Sequence, residues 1–301
     1  MGRSRRPLNC AANSGMLMAA AKVRMHRIKI VIAILALGSI GLVAYLIVRG
    51  VAEVGQLKHR YPVIHYNGAK EQPLVTLEKK RPASWVTIDQ VSRSVVGAVL
   101  VSEDWAFYQH KGFDPKQIEE SIKVNLKKKG LVRGASTITQ QVARNVFLSH
   151  KKSLWRKFRE LVLAMLLERE MTKRQILEVY MNVAEWGEGT YGISAASHLY
   201  FNEPPARLGA KEGAFLAMLL PSPKRYGVSF RQRMLTPHAG RTIHAILDKM
   251  VQAGYLSPAE LENEELKPLA FEKPIGEEEM RLVDPKELQE EALPEIADDW
   301  Y

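Results

Sequence analysis

Glu103 and Asp104 are adjacent carboxylates, followed at once by the apolar Trp105 and Phe107 and then by His110, Gly112 and Asp114. Two acids beside apolar side chains can hold one carboxyl pKa up, as a general base working near neutrality requires. A solvated loop ending in a helix cap at Asp114 fits the same spacing. Further on, Gly134-Ala135-Ser136-Thr137-Ile138-Thr139-Gln140-Gln141-Val142-Ala143-Arg144-Asn145 is a glycine-led, hydroxyl-rich helix start. Its free N–H groups and dipole could hold a phosphate, although an ordinary capped helix would look alike. Arg156, Lys157 and Glu160 share one helix face, either as a surface ion pair or as a carboxylate set among cations that bind an anion. In the block from Gln175 to Gly187, continued by Gly189, Gly192, Ala195-Ala196 and Tyr200-Phe201, glycines and alanines suit close packing or tight turns, and Asn182 is the one residue singled out for function.

The elements that must carry these groups are mostly helices. Asp114-Pro115-Lys116-Gln117 offers a cap, a proline at the first helical position and a Gln at the third. Thr137 with Gln140, and Thr172 with Gln175, read as capping boxes. Ile176, Val179, Tyr180 and Val183 repeat at i, i+3, i+4, i+7, and Leu154, Phe158, Leu161 and Met165 line one face of the preceding helix in the same way. Further helices are expected at 208–220 and 236–254. Between Lys127 and Gly134 a basic, glycine-bounded stretch reads as a mobile loop.

Ile30 to Val48 is nineteen residues without a charge. As a helix it would span roughly 28 Å, about the hydrocarbon thickness of a bilayer. Residues 1–29 hold seven Lys or Arg and no acid, which predicts an uncleaved, single-pass anchor with a cytoplasmic N-terminus. The expected organisation is a basic segment over 1–29, a transmembrane helix over 30–48 and a juxtamembrane connector over 49–84. A catalytic domain over 85–270 and an acidic, loosely ordered tail over 271–301 would follow. In the connector, short strands are expected to be broken by Pro62, Gly68, Pro73 and Pro82. The tail has eleven acids against three bases. The whole chain is nevertheless +10, so the centre is basic and suits an anionic partner: nucleic acid, a membrane surface or a phosphorylated substrate. Cys10 is the only cysteine, so no disulfide can form within the chain.

Taken in order, the blocks resemble the peptidoglycan glycosyltransferase family, which includes the N-terminal domains of class A penicillin-binding proteins. E-D-x-x-F-x-x-H-x-G-x-D, G-x-S-T-I-T-Q-Q-x-x-[KR]-N, R-K-x-x-E and I-L-E-x-Y-x-N-x-x-x-x-G all occur, and Leu219-Leu220-Pro221-Ser222-Pro223-Lys224-Arg225-Tyr226 is similar to the family's last motif. Arg144 stands where many members have Lys, and Met181 where Leu is common.

The resemblance implies a mainly α, lysozyme-like domain behind a single transmembrane helix, acting on lipid II and the growing glycan chain. Glu103 would be the general base. Arg144, Arg156, Lys157 and the helix start from Ser136 to Gln141 would stabilise the departing diphosphate. Glu160, the second acid, would either order those cations or hold a divalent metal, Mg or Mn; no cofactor is obligatory. Asp104, Phe107, His110, Ser136, Thr137, Gln140, Gln141, Asn145 and Asn182 complete the implied substrate-binding set. No transpeptidase is expected: Ser149-x-x-Lys152 falls inside the glycosyltransferase region and no K-T-G occurs. Expected partners are membrane lipids and other wall-building and division proteins, not nucleic acid, since no recognised nucleic-acid module is present. The rivals are a lytic enzyme of the same fold class, a tethered nucleic-acid binder and a non-catalytic scaffold.

Overall fold

The computed structural model describes residues 10–272, apart from 67, 69–72, 129, 131–133, 150 and 152. The first nine residues, most of the acidic tail, the centre of the basic loop and Lys152 therefore lie outside the described residues. The chain divides into two units, one ending at Arg49 and the other starting at Gly50.

Helix α1, Cys10–Gly55, is much longer than the nineteen-residue apolar run. No proline interrupts the sequence between Cys10 and Gly55, so the helix continues on both sides of that run. Most large apolar side chains from Ile30 to Val48, Leu46 apart, stand exposed, and by length and hydropathy this helix can cross a membrane. A helix apolar on every side is at home in lipid rather than water.

In the second unit, Val54 and Leu57 are buried. The expected connector thus begins as helix and joins the core. It continues as an antiparallel hairpin, β1 (Tyr61–His65) with β2 (Leu74–Glu78), in register from Tyr61↔Glu78 to His65↔Leu74. Pro62 does not break the strand as expected. It sits within β1, tolerated because a two-stranded ribbon has edges where a missing N–H costs nothing.

The remaining elements are mainly helical. In order they are α2 (Arg93–Glu103), α3 (Pro115–Lys128), α4 (Ile138–Phe147), α5 (Leu154–Glu170) and α6 (Lys173–Val183), then a small ribbon, β3 (Glu185–Gly187) with β4 (Thr190–Tyr191). There follow α7 (Ile193–Phe201), α8 (Ala210–Leu219), α9 (Pro223–Tyr226), α10 (Val228–Gln232), α11 (Pro237–Gln252) and α12 (Pro258–Leu266). The helix at Ala210 and that at Pro237 fall within the two predicted ranges.

Core helix α8 is buried at Ala210, Ala214, Phe215, Leu216, Ala217, Met218 and Leu219. It packs on α2 and α11. Gly213 lets α2 come close: a side-chain Cβ there would lie 3.0 Å from the Val95 Cα. The helix that delivers Glu103 is thereby set against the buried core of the fold.

Caps behave largely as the sequence predicts. Both boxes form, at Thr137/Gln140 and Thr172/Gln175. Asp114 Oδ1 accepts from the N–H groups of Lys116 and Gln117, but Gln117 Oε1 finds no partner. The reciprocal half of that cap is missing.

The apolar stripe on α5 faces mostly outward. Leu154 is 92% exposed, and Phe158 and Met165 are exposed too. The buried face is instead Glu160, Val162, Leu163, Ala164, Leu166 and Leu167. Periodicity finds an apolar face but cannot say which face meets protein, and here Glu160 takes the inner side.

Candidate active site

Glu103 is the last residue of α2. Its Oε2 accepts a 2.7 Å bond from the Gln141 side-chain amide on α4. The amide's orientation is fixed from behind, because the Tyr180 hydroxyl donates to Gln141 Oε1 at 3.3 Å. Burial, then the charge of Glu103, holds the Tyr180 pKa well above 10.0. The phenol therefore stays a donor, and Gln141 must present its N–H to Glu103. Desolvation raises the Glu103 carboxyl above the ordinary 4.5; the Gln141 bond and the Arg144 charge oppose that rise, and Asp104 adds to it. Sequence reading treated Tyr180 as core. Its place two residues before Asn182 in the fourth motif was the only signal that could have marked it.

Asp104 faces the other way. It is 1% exposed, and its carboxylate accepts from His110 Nε2 at 2.9 and 3.0 Å and from the Ile138 N–H at 2.9 Å. His110 Nδ1 accepts from the Gly112 N–H at 3.2 Å, and Thr137 Oγ1 donates to the Gly112 carbonyl at 2.8 Å. Gly112 has φ 94°, and a Cβ there would lie 3.0 Å from the Ala164 carbonyl of α5, so only glycine makes this turn without strain.

The loop after Glu103 is thus pinned to the first turn of α4. Asp104, His110, Thr137 and Gln140 were expected to touch substrate. All four are buried: Asp104, His110 and Thr137 spend their side-chain bonds inside the protein, and Gln140 Oε1 closes the cap at Thr137, so their bonds hold the loop to α4. Phe107 is fully buried, with the Lys173 ammonium 4.4 Å from its ring centre. Asn182 is also committed: its side chain accepts from the Val86 N–H at 3.0 Å and donates to the carbonyls of Val86 and Glu178 at 2.8 Å. It ties α6 to the segment before α2 and has no amide hydrogen left for a ligand.

Asp104→Ala should therefore act mainly on stability. It strands the His110 and Ile138 N–H groups in a buried site, at a cost of about 3 kcal/mol. Chemical denaturation should show that loss, with Asp104→Asn losing clearly less. An Asp104→Ala protein as stable as the parent would refute the positioning role.

A second cluster forms at the start of α5. Lys157 Nζ donates to Ser136 Oγ at 2.8 Å and to Glu160 Oε1 at 2.5 Å. Glu160 is fully buried, while the Lys157 side chain is 48% exposed. The ammonium is therefore held from inside and presented to the outside. Glu160 Oε2 and Arg156 Nε are buried and without partners. Arg144 and Asn145 lie partly exposed on α4.

The segment around the α4 start connects the two clusters. Ser136 meets Lys157 and Gln141 meets Glu103, and five residues of chain span at most about 18 Å. A carboxylate with a raised pKa and a group of cations are thus tied to the same end of α4. Among the described residues no group of three or more His, Cys, Asp or Glu could hold a metal ion. Glu160 is a single carboxylate with one oxygen taken by an ammonium, a donor set that does not fit a divalent cation unaided.

A cavity of about 260 Å³ lined by Leu100, Trp105, Tyr108 and Tyr255, among others, includes neither Glu103 nor Glu160.

Comparison with known proteins places these residues in a family. The model of the Transglycosylase family matches residues 70–251. A protein of Nitrosomonas eutropha is 44% identical over 158 residues, 51% of this chain and 65% of that protein, a little under two thirds of its length. One from an Azoarcus species is 43% identical over 173 residues, 56% of this chain and 74% of its own. One from Aromatoleum aromaticum is 41% identical over 198 residues, 63% of this chain and 84% of its own. All three are named biosynthetic peptidoglycan transglycosylase.

Proposed function

The chain belongs to the transglycosylase family, and we propose that it polymerises lipid II into β-1,4-linked glycan strands with release of undecaprenyl diphosphate. The arrangement carrying this reading is the pair of clusters tied to the α4 start: Glu103 on Gln141, and Lys157 on Ser136 and Glu160. Glu103 takes the proton of the acceptor sugar's 4-hydroxyl. That oxygen attacks the donor's anomeric carbon as the bond from carbon to phosphate oxygen breaks. The electron pair leaves on the diphosphate, and one displacement inverts the centre.

A diphosphate needs no proton to depart; it needs positive charge where its own charge develops. The Lys157 ammonium, with Arg156 and Arg144, supplies that charge. Glu160 orders the cations, and no step is routed through a metal.

The anchor suits the substrate. Seven cations precede the apolar run, which favours a cytoplasmic N-terminus and an outward-facing catalytic domain in the bacterial inner membrane. The exposed α5 stripe, with Trp155 and Phe158 stacked at 5.8 Å, suits contact with lipid tails.

Incubating the detergent-solubilised protein with labelled lipid II should yield polymer. The same protein given finished glycan should leave it intact. Cleavage of glycan without polymer would instead mark a lytic enzyme, for which a raised Glu103 pKa would serve as general acid and the Lys157 cluster would have no leaving group to serve.

A further inference from the structure

Leu154, Trp155, Phe158 and Met165 on α5 stand exposed, and Leu161 between them is half-buried. A surface helix ordinarily turns its apolar side toward the core. Here the inner side is already taken by Glu160, Leu163 and Leu167, and the row of large apolar groups lies on the other. Single exposed apolar residues need no explanation, but a contiguous row marks a surface that something else covers.

What the row adjoins says what covers it. Lys157 is three residues from Leu154 and four from Leu161, the spacings at which side chains are neighbours on a helix surface. Its ammonium is held by Ser136 Oγ at 2.8 Å and Glu160 Oε1 at 2.5 Å, while its side chain remains half exposed. An anion met by Lys157 therefore has an apolar surface directly beside it. From Leu154 to Met165 that surface runs about 16 Å along the helix. Trp155 and Phe158, stacked at 5.8 Å with 27° between their planes, broaden its first turns into an aromatic floor.

We propose that this face of α5 binds the prenyl chain of the donor substrate, the chain carried by the diphosphate that Lys157 meets. The assignment rests on the lipid II reading above. It names Leu154, Trp155, Phe158, Leu161 and Met165 as the residues that select a prenyl diphosphate over other anions. A phospholipid also joins a phosphate to hydrocarbon, but glycerol and ester groups separate the two. A prenyl diphosphate carries hydrocarbon directly on its phosphate oxygen, which matches an apolar row that begins beside the cation. Covering the row removes it from water, worth roughly 4-fold in affinity for each methylene-sized piece of surface buried. Held there, the chain steadies the diphosphate at Lys157 before transfer and leaves with it afterwards.

The test is calorimetric titration of the full-length protein in neutral detergent with farnesyl diphosphate and, separately, inorganic diphosphate. The parent should bind the farnesyl compound roughly 10-fold or more tightly. L154S/F158S replaces two side chains that already face outward, so its denaturation midpoint should match the parent's. It should lose the farnesyl preference and keep its affinity for inorganic diphosphate. Equal affinities in the parent, or a preference that survives in L154S/F158S, would overturn the proposal. So would a preference that vanishes when phosphatidylglycerol is added to the micelles, because the face would then belong to membrane lipid. Lipid II polymerisation on the same preparations separates this site from the reaction. L154S/F158S should raise KM about 10-fold with kcat little changed, and a parental KM would reject the chain site alone. A parent that prefers farnesyl diphosphate but makes no polymer would uphold the prenyl site and reject the reaction.

Discussion

Glu103→Gln is expected to cut glycan polymerisation by about 10³-fold, within the usual range for losing a general base, while leaving lipid II binding in place and the protein no less stable. The two halves of that outcome share one cause. The Gln141 amide that donates to Glu103 at 2.7 Å can donate equally to a glutamine oxygen, so the substitution breaks no bond. What it removes is a carboxylate in a partly desolvated site, whose pKa burial has raised above 4.5. A raised acid pKa means that the folded state binds its proton more tightly than the unfolded state. Stability then falls as pH rises from the unfolded pKa through the folded one, and at neutral pH the ionised group is a net burden. Removing it should add about 1 kcal/mol, the size common for relieving an active-site conflict.

The same carboxyl sets the acid limb of the pH–rate profile. Activity needs the ionised base, so it should be lost as pH falls through a midpoint above that of an ordinary glutamate. Because the Arg144 charge pulls that pKa down, Arg144→Gln should move the limb to higher pH. Initial rates of lipid II polymerisation across pH, with denaturation curves on the same preparations, check each part. An active Glu103→Gln protein would remove Glu103 as base. An acid limb that stays put in Arg144→Gln would show that another group sets it.

How far such a site can be read from sequence depends on what each residue touches. Glu103 and the Lys157–Glu160 pair were legible because their chemistry is local: a carboxylate beside apolar side chains, a cation one helical turn from an acid. The caps at Asp114, Thr137 and Thr172 were legible for the same reason. Asp104, His110 and Asn182, expected among the substrate-binding residues, have internal partners that the sequence did not reveal. Their partners are backbone groups 34 and 96 residues away for Asp104 and Asn182, and no spacing rule reports such pairings. Motif membership marks a residue as needed without saying whether it meets substrate or holds up its neighbour. Which way the apolar stripe of α5 faces was not legible, because it has the same period whether it meets protein or solvent. The extent of α1 was missed because hydropathy marks where a helix is apolar, not where it ends.

Lys157→Met should be the second severe variant, and its two losses can be separated. Lys157 is the partner of Glu160 Oε1, and Glu160 Oε2 already has none. Removing the ammonium leaves a fully buried carboxylate with no compensation, which costs on the order of 3 kcal/mol. It also takes away the charge that meets the leaving diphosphate, a loss of about 10²–10³ in turnover if the ammonium acts as an electrostatic stabiliser of the transition state. The double variant K157M/E160L should recover most of the stability, because an apolar pair of similar volume replaces a buried ion pair at little cost. It should recover none of the activity. Denaturation midpoints and lipid II polymerisation, measured on parent, single and double variants, distinguish the roles. Were the pair only scaffold, turnover would return with stability in the double variant. The asymmetry of the pair favours the electrostatic role: the carboxylate is buried while the lysine side chain is half exposed, so the cation can be reached from outside.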